Sequence, residues 1–331
     1  MEILILNSRE MQEVIDMNQA IEANKLALAQ YSSGQADIPL RTNLAIDEFG
    51  GQSLYMPGYL PGEHALGVKL VSVYPDNLKK GLSSVPSLML LVDDETGFPQ
   101  AMMDGTYLTQ LRTGAISGAA TDLLAREDSS VFTLIGTGGQ APLQLEAILA
   151  VRDIKTAYVF DINDDNRRKF VQAMRERFGQ DYQVEIKECL DLEAAIGESD
   201  IITSVTTARG ATFKSDWVKP GCHINGVGSY TPEMAEIDGD LILRADKIYC
   251  DTRDALVESG DFVQLIQKGL FSEDRLDGEL GDLIMKKSPG RENDQEISFF
   301  ETTGNAVLDI MVAKRIYDLA LAKNIGQTIS I

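Results

Sequence analysis

The stretch Ser130-Val131-Phe132-Thr133-Leu134-Ile135-Gly136-Thr137-Gly138-Gly139-Gln140-Ala141 joins an apolar run to a glycine-rich turn and then to an expected helix, Gln140 to Ala150. A short run of this kind, from Ser130 to Ile135, suits a strand buried on both faces of a parallel sheet. Gly136 permits the tight turn, Gly138 lets the backbone approach a pyrophosphate, and Ala141 allows the helix to pack closely on the strand. The helix N-terminus would face the anion. Pro142 fits the first helical turn, where amides have no intrahelical partner. A G-x-G-x-x-G/A pattern alone is weak, but strand, turn and helix in this order point to dinucleotide binding.

Downstream, the same alternation continues. The expected strands are Ala157–Phe160, Val184–Ile186, Ile201–Val205, His223–Val227 and Lys247–Cys250, which with Ser130–Ile135 make six. Six strands with crossover helices predict an α/β fold, a doubly wound parallel sheet of the Rossmann type. Asp161 closes the second strand, where a carboxylate would accept hydrogen bonds from the adenosine ribose and repel a 2′-phosphate. NAD is therefore favoured, with NADP left possible by Arg167 and Arg168 on the next helix. That helix, Asp164 to Phe178, carries a buried stripe of Phe170, Met174 and Phe178 and stops at Gly179.

Upstream, residues 1 to about 115 read as an α+β segment, with an amphipathic region from Ile15 to Tyr31 and turn signals at Met56-Pro57-Gly58 and at Asp93 to Gly97. Near the other end, Asn305 to Lys323 has helical periodicity through Val307, Ile310, Met311, Lys314 and Tyr317. It does not continue the parallel-sheet pattern, so it is expected to pack on the N-terminal domain.

Composition bounds the function. With 331 residues, 44% of them hydrophobic, the chain is long enough for two domains. No apolar run nears the length of a membrane span, so a membrane is not an expected partner. Thirty basic against 51 acidic residues give a net charge of −21, which repels nucleic acid. The first residues, Met1 to Asn7, read as an opening strand rather than an export signal, which predicts an intracellular, cytoplasmic protein. Three cysteines, Cys189, Cys222 and Cys250, stand in no metal-ligand spacing and read as small buried hydrophobes; no metal is expected. Of the two histidines, His64 and His223, the latter lies in an expected strand and reads as a structural, hydrogen-bonded residue.

Three cations stand out in the α+β segment. Lys69, in Gly67-Val68-Lys69-Leu70-Val71, interrupts an apolar strand, and a lysine withdrawn from water loses proton affinity and becomes a usable acid or base. Arg112 lies where one domain is expected to give way to the next, a natural place for a cleft, and its fork could hold a carboxylate by two parallel hydrogen bonds. Arg41 follows Ile38-Pro39-Leu40. From spacing alone, each of the three also reads as an ordinary structural or surface cation.

Taken together, Gly67-Val68-Lys69, the block Leu111-Arg112-Thr113-Gly114-Ala115 with Ala119-Ala120, the turn ending Gly139-Gln140-Ala141, and Thr302-Thr303-Gly304-Asn305-Ala306 resemble the ornithine cyclodeaminase/μ-crystallin family over nearly the whole chain. The resemblance implies a homodimer. It also implies a substrate-binding and dimerisation domain made of residues 1–115 with 305–331, and an NAD(P)-binding domain at 116–304. It places Arg41, Lys69 and Arg112 on the carboxylate of a small amino or imino acid, with Lys69 catalytic in proton transfer. Cofactor contacts are implied at Thr113, Gly136, Thr137, Gly138, Gly139, Gln140, Ala141, Asp161, Arg167, Val205, Thr206, Thr207, Val227, Gly228, Ser229, Thr303 and Gly304.

The family's activities include reduction of cyclic ketimines such as Δ1-pyrroline-2-carboxylate, alanine dehydrogenation, and cyclising deamination of ornithine, an ammonia-releasing reaction with internally recycled NAD. Cyclising members carry an aspartate just after the glycine pair of the segment matching Gly226-Val227-Gly228-Ser229-Tyr230. Tyr230 stands in its place, and a neutral phenol is a poor base near neutral pH. Glu233 and Asp238 are the nearby acids able to compensate. The expectation is therefore an NAD(P)-dependent oxidoreductase on a small imino or amino acid, with ornithine cyclodeaminase as the alternative.

Overall fold

The computed structural model describes the backbone of residues 1–331 and every side chain except that of Leu78. Two compact units result, Met1–Arg112 with Asn305–Ile331, and Thr113–Gly304.

The chain opens with β1 (Glu2–Leu6), α1 (Ser8–Val14) and α2 (Met17–Ser32). It continues through β2 (Thr42–Ile46), β3 (Gly51–Leu60), β4 (Ala65–Val73), β5 (Ser87–Val92) and β6 (Pro99–Asp104) to α3 (Gly105–Leu124), inside which the division between units falls. The second unit holds β7 (Val131–Ile135), α4 (Ala141–Val151), β8 (Thr156–Phe160), α5 (Asp164–Phe178), β9 (Glu185–Glu188), α6 (Leu192–Glu198), β10 (Ile201–Ser204) and β11 (His223–Gly226). It goes on with α7 (Gly239–Arg244), β12 (Lys247–Cys250), α8 (Ala255–Glu258), α9 (Gly260–Gln267), β13 (Gly278–Glu279), α10 (Leu280–Ile284) and β14 (Ser298–Glu301). The chain then returns to the first unit with α11 (Ala306–Lys323) and β15 (Gln327–Ser330).

In the first unit, seven strands form one sheet in the order β15-β1-β6-β5-β4-β3-β2, with β1 and β6 its parallel pair. Local signals set its helices. Asn7 and Asp16 each close a capping box at the start of α1 and α2, and Asn305 caps α11. As expected, α11 packs back on the N-terminal segment, against α2 and the strands β3, β4 and β5.

Met56-Pro57-Gly58 is not a turn; it lies inside β3, where Pro57 pairs with Val68 of β4. The proline is tolerated because β2 covers β3 only from Gly51 to Tyr55, so no ladder partner waits on the other side. Gly58 is needed for close approach, since a Cβ there would meet the Cδ1 atoms of Ile310 and Ile38, each at 2.6 Å. The turn from Asp93 to Gly97 is present, with Asp93 Oδ1 accepting from the Thr96 amide at 2.7 Å.

The second unit is a doubly wound sheet of eight parallel strands in the order β13-β12-β14-β11-β10-β7-β8-β9. Eight strands replace the six expected. β14 inserts between β11 and β12, and the two-residue β13 extends the edge. Buried side chains pack on both faces of this sheet, among them Phe132, Leu134, Leu145 and Val159 in one cluster and Ile202, Ile224, Phe262 and Phe299 in the other. His223 is buried and hydrogen-bonded to Ser298 and Asn225, and burial pushes its imidazole down to about 3, which makes it a neutral structural residue.

Candidate functional site

The first unit places Lys69 on the buried face of β4, with its side chain 2% exposed. Register puts Met56 of β3 and Met89 of β5 opposite it. An uncompensated ammonium here would be costly, and the compensation comes from α11: Lys69 Nζ donates to Asp309 Oδ2 at 2.6 Å. The other oxygen of the same carboxylate accepts from Arg112 Nε at 3.0 Å. Asn24 of α2 donates to the Arg112 carbonyl at 2.7 Å and anchors that point of α3. Arg112 is held through Nε, its two terminal amino groups have no partner among the described residues, and the side chain is 9% exposed.

Burial lowers the Lys69 proton affinity, Asp309 opposes that, and the positive charges of Arg112 and Arg41 add to it, leaving Lys69 at about 8. Arg41, just ahead of β2, is thus close enough to be felt. Two of the three expected cations, Lys69 and Arg112, meet on an acid that local sequence did not announce, and Arg41 bears on Lys69. Asp309 is 0% exposed within Val307-Leu308-Asp309-Ile310-Met311, and an acid in a wholly buried apolar run was the available signal.

In the second unit, Gly136 adopts φ +99°, and a Cβ on it would meet the Val205 carbonyl oxygen at 2.7 Å and Thr206 Cγ2 at 3.0 Å. Gly138 is different, because a Cβ there would meet nothing within 4 Å. The amides of Gly138, Gly139 and Gln140 have no partner among the described residues, and α4 starts without a side-chain cap. Open space, unpartnered amides and an uncapped helix N-terminus are the donor set that a pyrophosphate requires. The Asp161 carboxylate accepts from the Thr137 amide at 3.0 Å and from the Asn163 amide at 2.8 Å, which fixes it beside the turn. Arg167 points elsewhere: it is buried and paired with Asp164 at 2.6 Å and Glu188 at 3.2 Å. Arg168 is on the surface, paired with Asp165.

Successive backbone bonds bring the strand ends together. Val205 N donates to Ile135 O, Val227 N to Ser204 O, and Thr302 N to Gly226 O, so the segments after β7, β10, β11 and β14 lie side by side. This is the carboxyl edge of a doubly wound sheet, where ligands bind. Two buried acids shape it, and both were absent from the sequence reading. Glu236 accepts from Ser204 Oγ at 2.8 Å and from the Thr206 and Gly228 amides, each at 2.5 Å. Its proton affinity is raised by burial. Asp251 accepts from Thr302 Oγ1 at 2.6 Å and the Gly304 amide at 2.8 Å. Ser229 is buried, its hydroxyl donating to Met234 O, while Thr207 is exposed. Thr113 and Thr303 keep buried hydroxyls without a partner. Tyr230 is 41% exposed and Glu233 is exposed; Asp238 is occupied by the Ser215 and Asp240 amides. Among the described residues, no group of three or more His, Cys, Asp or Glu side chains could hold a metal ion.

The model of the ornithine cyclodeaminase/mu-crystallin family matches residues 1–324. The chain belongs to this family. A Δ1-pyrroline-2-carboxylate reductase of Bacillus cereus is 38% identical over 328 residues, covering 99% of both chains. Among solved structures, the Δ1-pyrroline-2-carboxylate reductase of Thermococcus litoralis in complex with NADH and L-proline is similar at a TM-score of 0.93 and 39% identity, over 99% of this chain and 100% of that one. An archaeal alanine dehydrogenase dimer with bound NAD is similar at a TM-score of 0.91 and 36% identity, over the full length of both chains.

Proposed function

We propose that this chain is an NAD(H)-dependent oxidoreductase that reduces a small cyclic imino acid, with Δ1-pyrroline-2-carboxylate the first candidate and alanine dehydrogenation the related activity. The observation that carries this reading is the pairing of a buried lysine of lowered proton affinity with an arginine whose terminal nitrogens are unengaged. An α-imino acid presents a carboxylate beside an electrophilic C=N bond. The Arg112 fork, with Arg41, suits the carboxylate, and Lys69 suits the nitrogen.

In this reading the Gly136 to Ala141 turn holds the pyrophosphate and Asp161 the adenosine ribose. Thr113, Val205 to Thr207, Val227 to Ser229 and Thr303-Gly304 flank the rest of the dinucleotide. Bound NADH supplies a hydride. Lys69 would give its ammonium proton to the imine nitrogen, where the C=N electron pair is left once the carbon is reduced, and a proton from solvent would restore the ammonium. The carboxylate of Asp161 and the burial of Arg167 against Asp164 and Glu188 support preference for NAD over NADP, with Arg168 on the surface beside Asp165. The exposed Tyr230 and the occupied Asp238 speak against ring-closing deamination.

The dimeric alanine dehydrogenase relative supports a homodimer. Three free, buried cysteines accord with a reducing compartment such as the cytoplasm. In the deciding experiment, purified protein is given NADH with Δ1-pyrroline-2-carboxylate, and separately with pyruvate plus ammonia. NADH consumption with equimolar proline or alanine is expected, slower with NADPH. If no cyclic imine or keto acid consumes NADH while ornithine gives proline without net NADH, the cyclodeaminase reading replaces this one.

A further inference from the structure

Asp309 meets two of the three candidate substrate-contacting side chains of the first unit, Lys69 and Arg112, without occupying the place of either. Its side chain is 0% exposed, and each carboxylate oxygen has one partner, Lys69 Nζ at 2.6 Å and Arg112 Nε at 3.0 Å. It sits in the first turn of α11, where the helix dipole favours negative charge, behind the Asn305 cap. The charged groups that bear on Lys69 are Asp309 on α11, Arg112 on α3 and Arg41 ahead of β2. The strand neighbours of Lys69, Met56 and Met89, carry no charge.

We infer that Asp309 is a positioning residue that sets the spacing of proton donor and carboxylate fork and holds the proton on Lys69. This rests on the imino-acid reading above. Three features carry it. One carboxylate joins three chain segments that are far apart in sequence, so the separation of the Lys69 and Arg112 nitrogens is fixed by a rigid group rather than by flexible stems. Arg112 is gripped at Nε, which orients the guanidinium and leaves its terminal nitrogens without a partner among the described residues.

The third feature is charge balance. Lys69 is fully buried beside two guanidinium groups, and all three effects drive its proton off; Asp309 is the opposing influence. Without it, Lys69 would be largely neutral at neutral pH and unable to donate. An ordinary buried ion pair that only stabilised the fold would lack this consequence.

The test compares Asp309→Asn and Asp309→Glu with the wild type. In the wild type, kcat/KM for imine reduction falls as pH rises through the Lys69 value of about 8. Asp309→Asn is expected to move that fall to lower pH by at least about one unit, while Asp309→Glu, which keeps the charge, stays near the wild type even if kcat drops. An NMR titration of the Lys69 amine, assigned by its loss in Lys69→Met, reads the same shift with neither substrate nor cofactor, so it stands even if the imino-acid reading fails. An unchanged titration in Asp309→Asn, or equal shifts in the Asn and Glu variants, would overturn the inference. Should Asp309→Asn not fold, the double variant Lys69→Met/Asp309→Asn is expected to fold again, because the unpaired buried ammonium is then gone; failure to recover would count equally against it.

Discussion

At the scale of single residues, the proposed chemistry concentrates in Lys69. A proton donor must be charged to act, so reduction is expected to be flat at low pH and to decline above about 8, whereas oxidation of the amino acid, which needs the neutral amine, should rise through the same range. Paired pH profiles of the forward and reverse reactions check this; parallel profiles would contradict it. Lys69→Met is expected to cost roughly 10²- to 10⁴-fold in kcat for reduction. NADH affinity should be little changed, as equilibrium titration would show. Lys69 was legible in the sequence because a lysine in an apolar strand is out of place. Asp309 was equally out of place on an apolar helical stripe, but one acid in a helix reads as solvated until its partners, 197 and 240 residues away, are known. Glu236 and Asp251 escaped for the same reason: their roles are to accept backbone amides of other loops, and no local pattern announces such a bond.

Among elements, those with a strong period or a buried strand pattern were readable, and the helix Asp164 to Phe178 is α5 to the residue. β14 was not, since Ser298-Phe299-Phe300-Glu301 has only two apolar residues and is made a strand by β11 and β12 on either side. The Pro57 segment misled because proline and glycine signal turns, while an uncovered strand side removes the penalty. Helix α3 also went unread, and its end depends on distant groups. Arg152 donates to the carbonyls of Thr121, Asp122, Ala125 and Arg126, and Arg291 to that of Leu124. Because the Thr121 and Arg126 carbonyls also accept backbone amides, Arg152→Ala should leave those of Asp122 and Ala125 unsatisfied and cost about 3 kcal/mol of stability, measurable by urea unfolding. A loss under about 0.5 kcal/mol, the range of ordinary surface changes, would show that water replaces the arginine. Nearby, a Cβ on Gly114 would collide with the Leu143 backbone, so Gly114→Ala is also expected to destabilise, by roughly 1 to 3 kcal/mol.

For the whole molecule, stability should carry the mark of its buried acids. Burial, with Glu236 nearby, raises Asp261 to about 7, and Glu301 is raised well above its ordinary value by burial and by Asp261. The proton held by folded Asp261 lends stability that is complete below its ordinary value of 3.8 and is lost as pH rises through about 7. His223, lowered to about 3, acts in the opposite sense below its ordinary 6.5, so the wild-type profile mixes the two. Asp261→Asn removes the first, together with the share of the Glu301 shift that Asp261 causes: its Tm relative to the wild type should rise from pH 5 to pH 7, and a constant difference would contradict the assignment. The parallel sheet and its glycine turn were written in the local sequence, whereas the first unit's cation cluster was assembled only by the fold. The central claim is that this cluster serves NADH-dependent imine reduction. Steady-state consumption of NADH with Δ1-pyrroline-2-carboxylate, compared for the wild type and Lys69→Met under identical conditions, tests it most directly. Proline should form mole for mole with NADH oxidised and be nearly abolished in the variant; equal turnover by the two proteins, or none by the wild type, would rule the reading out.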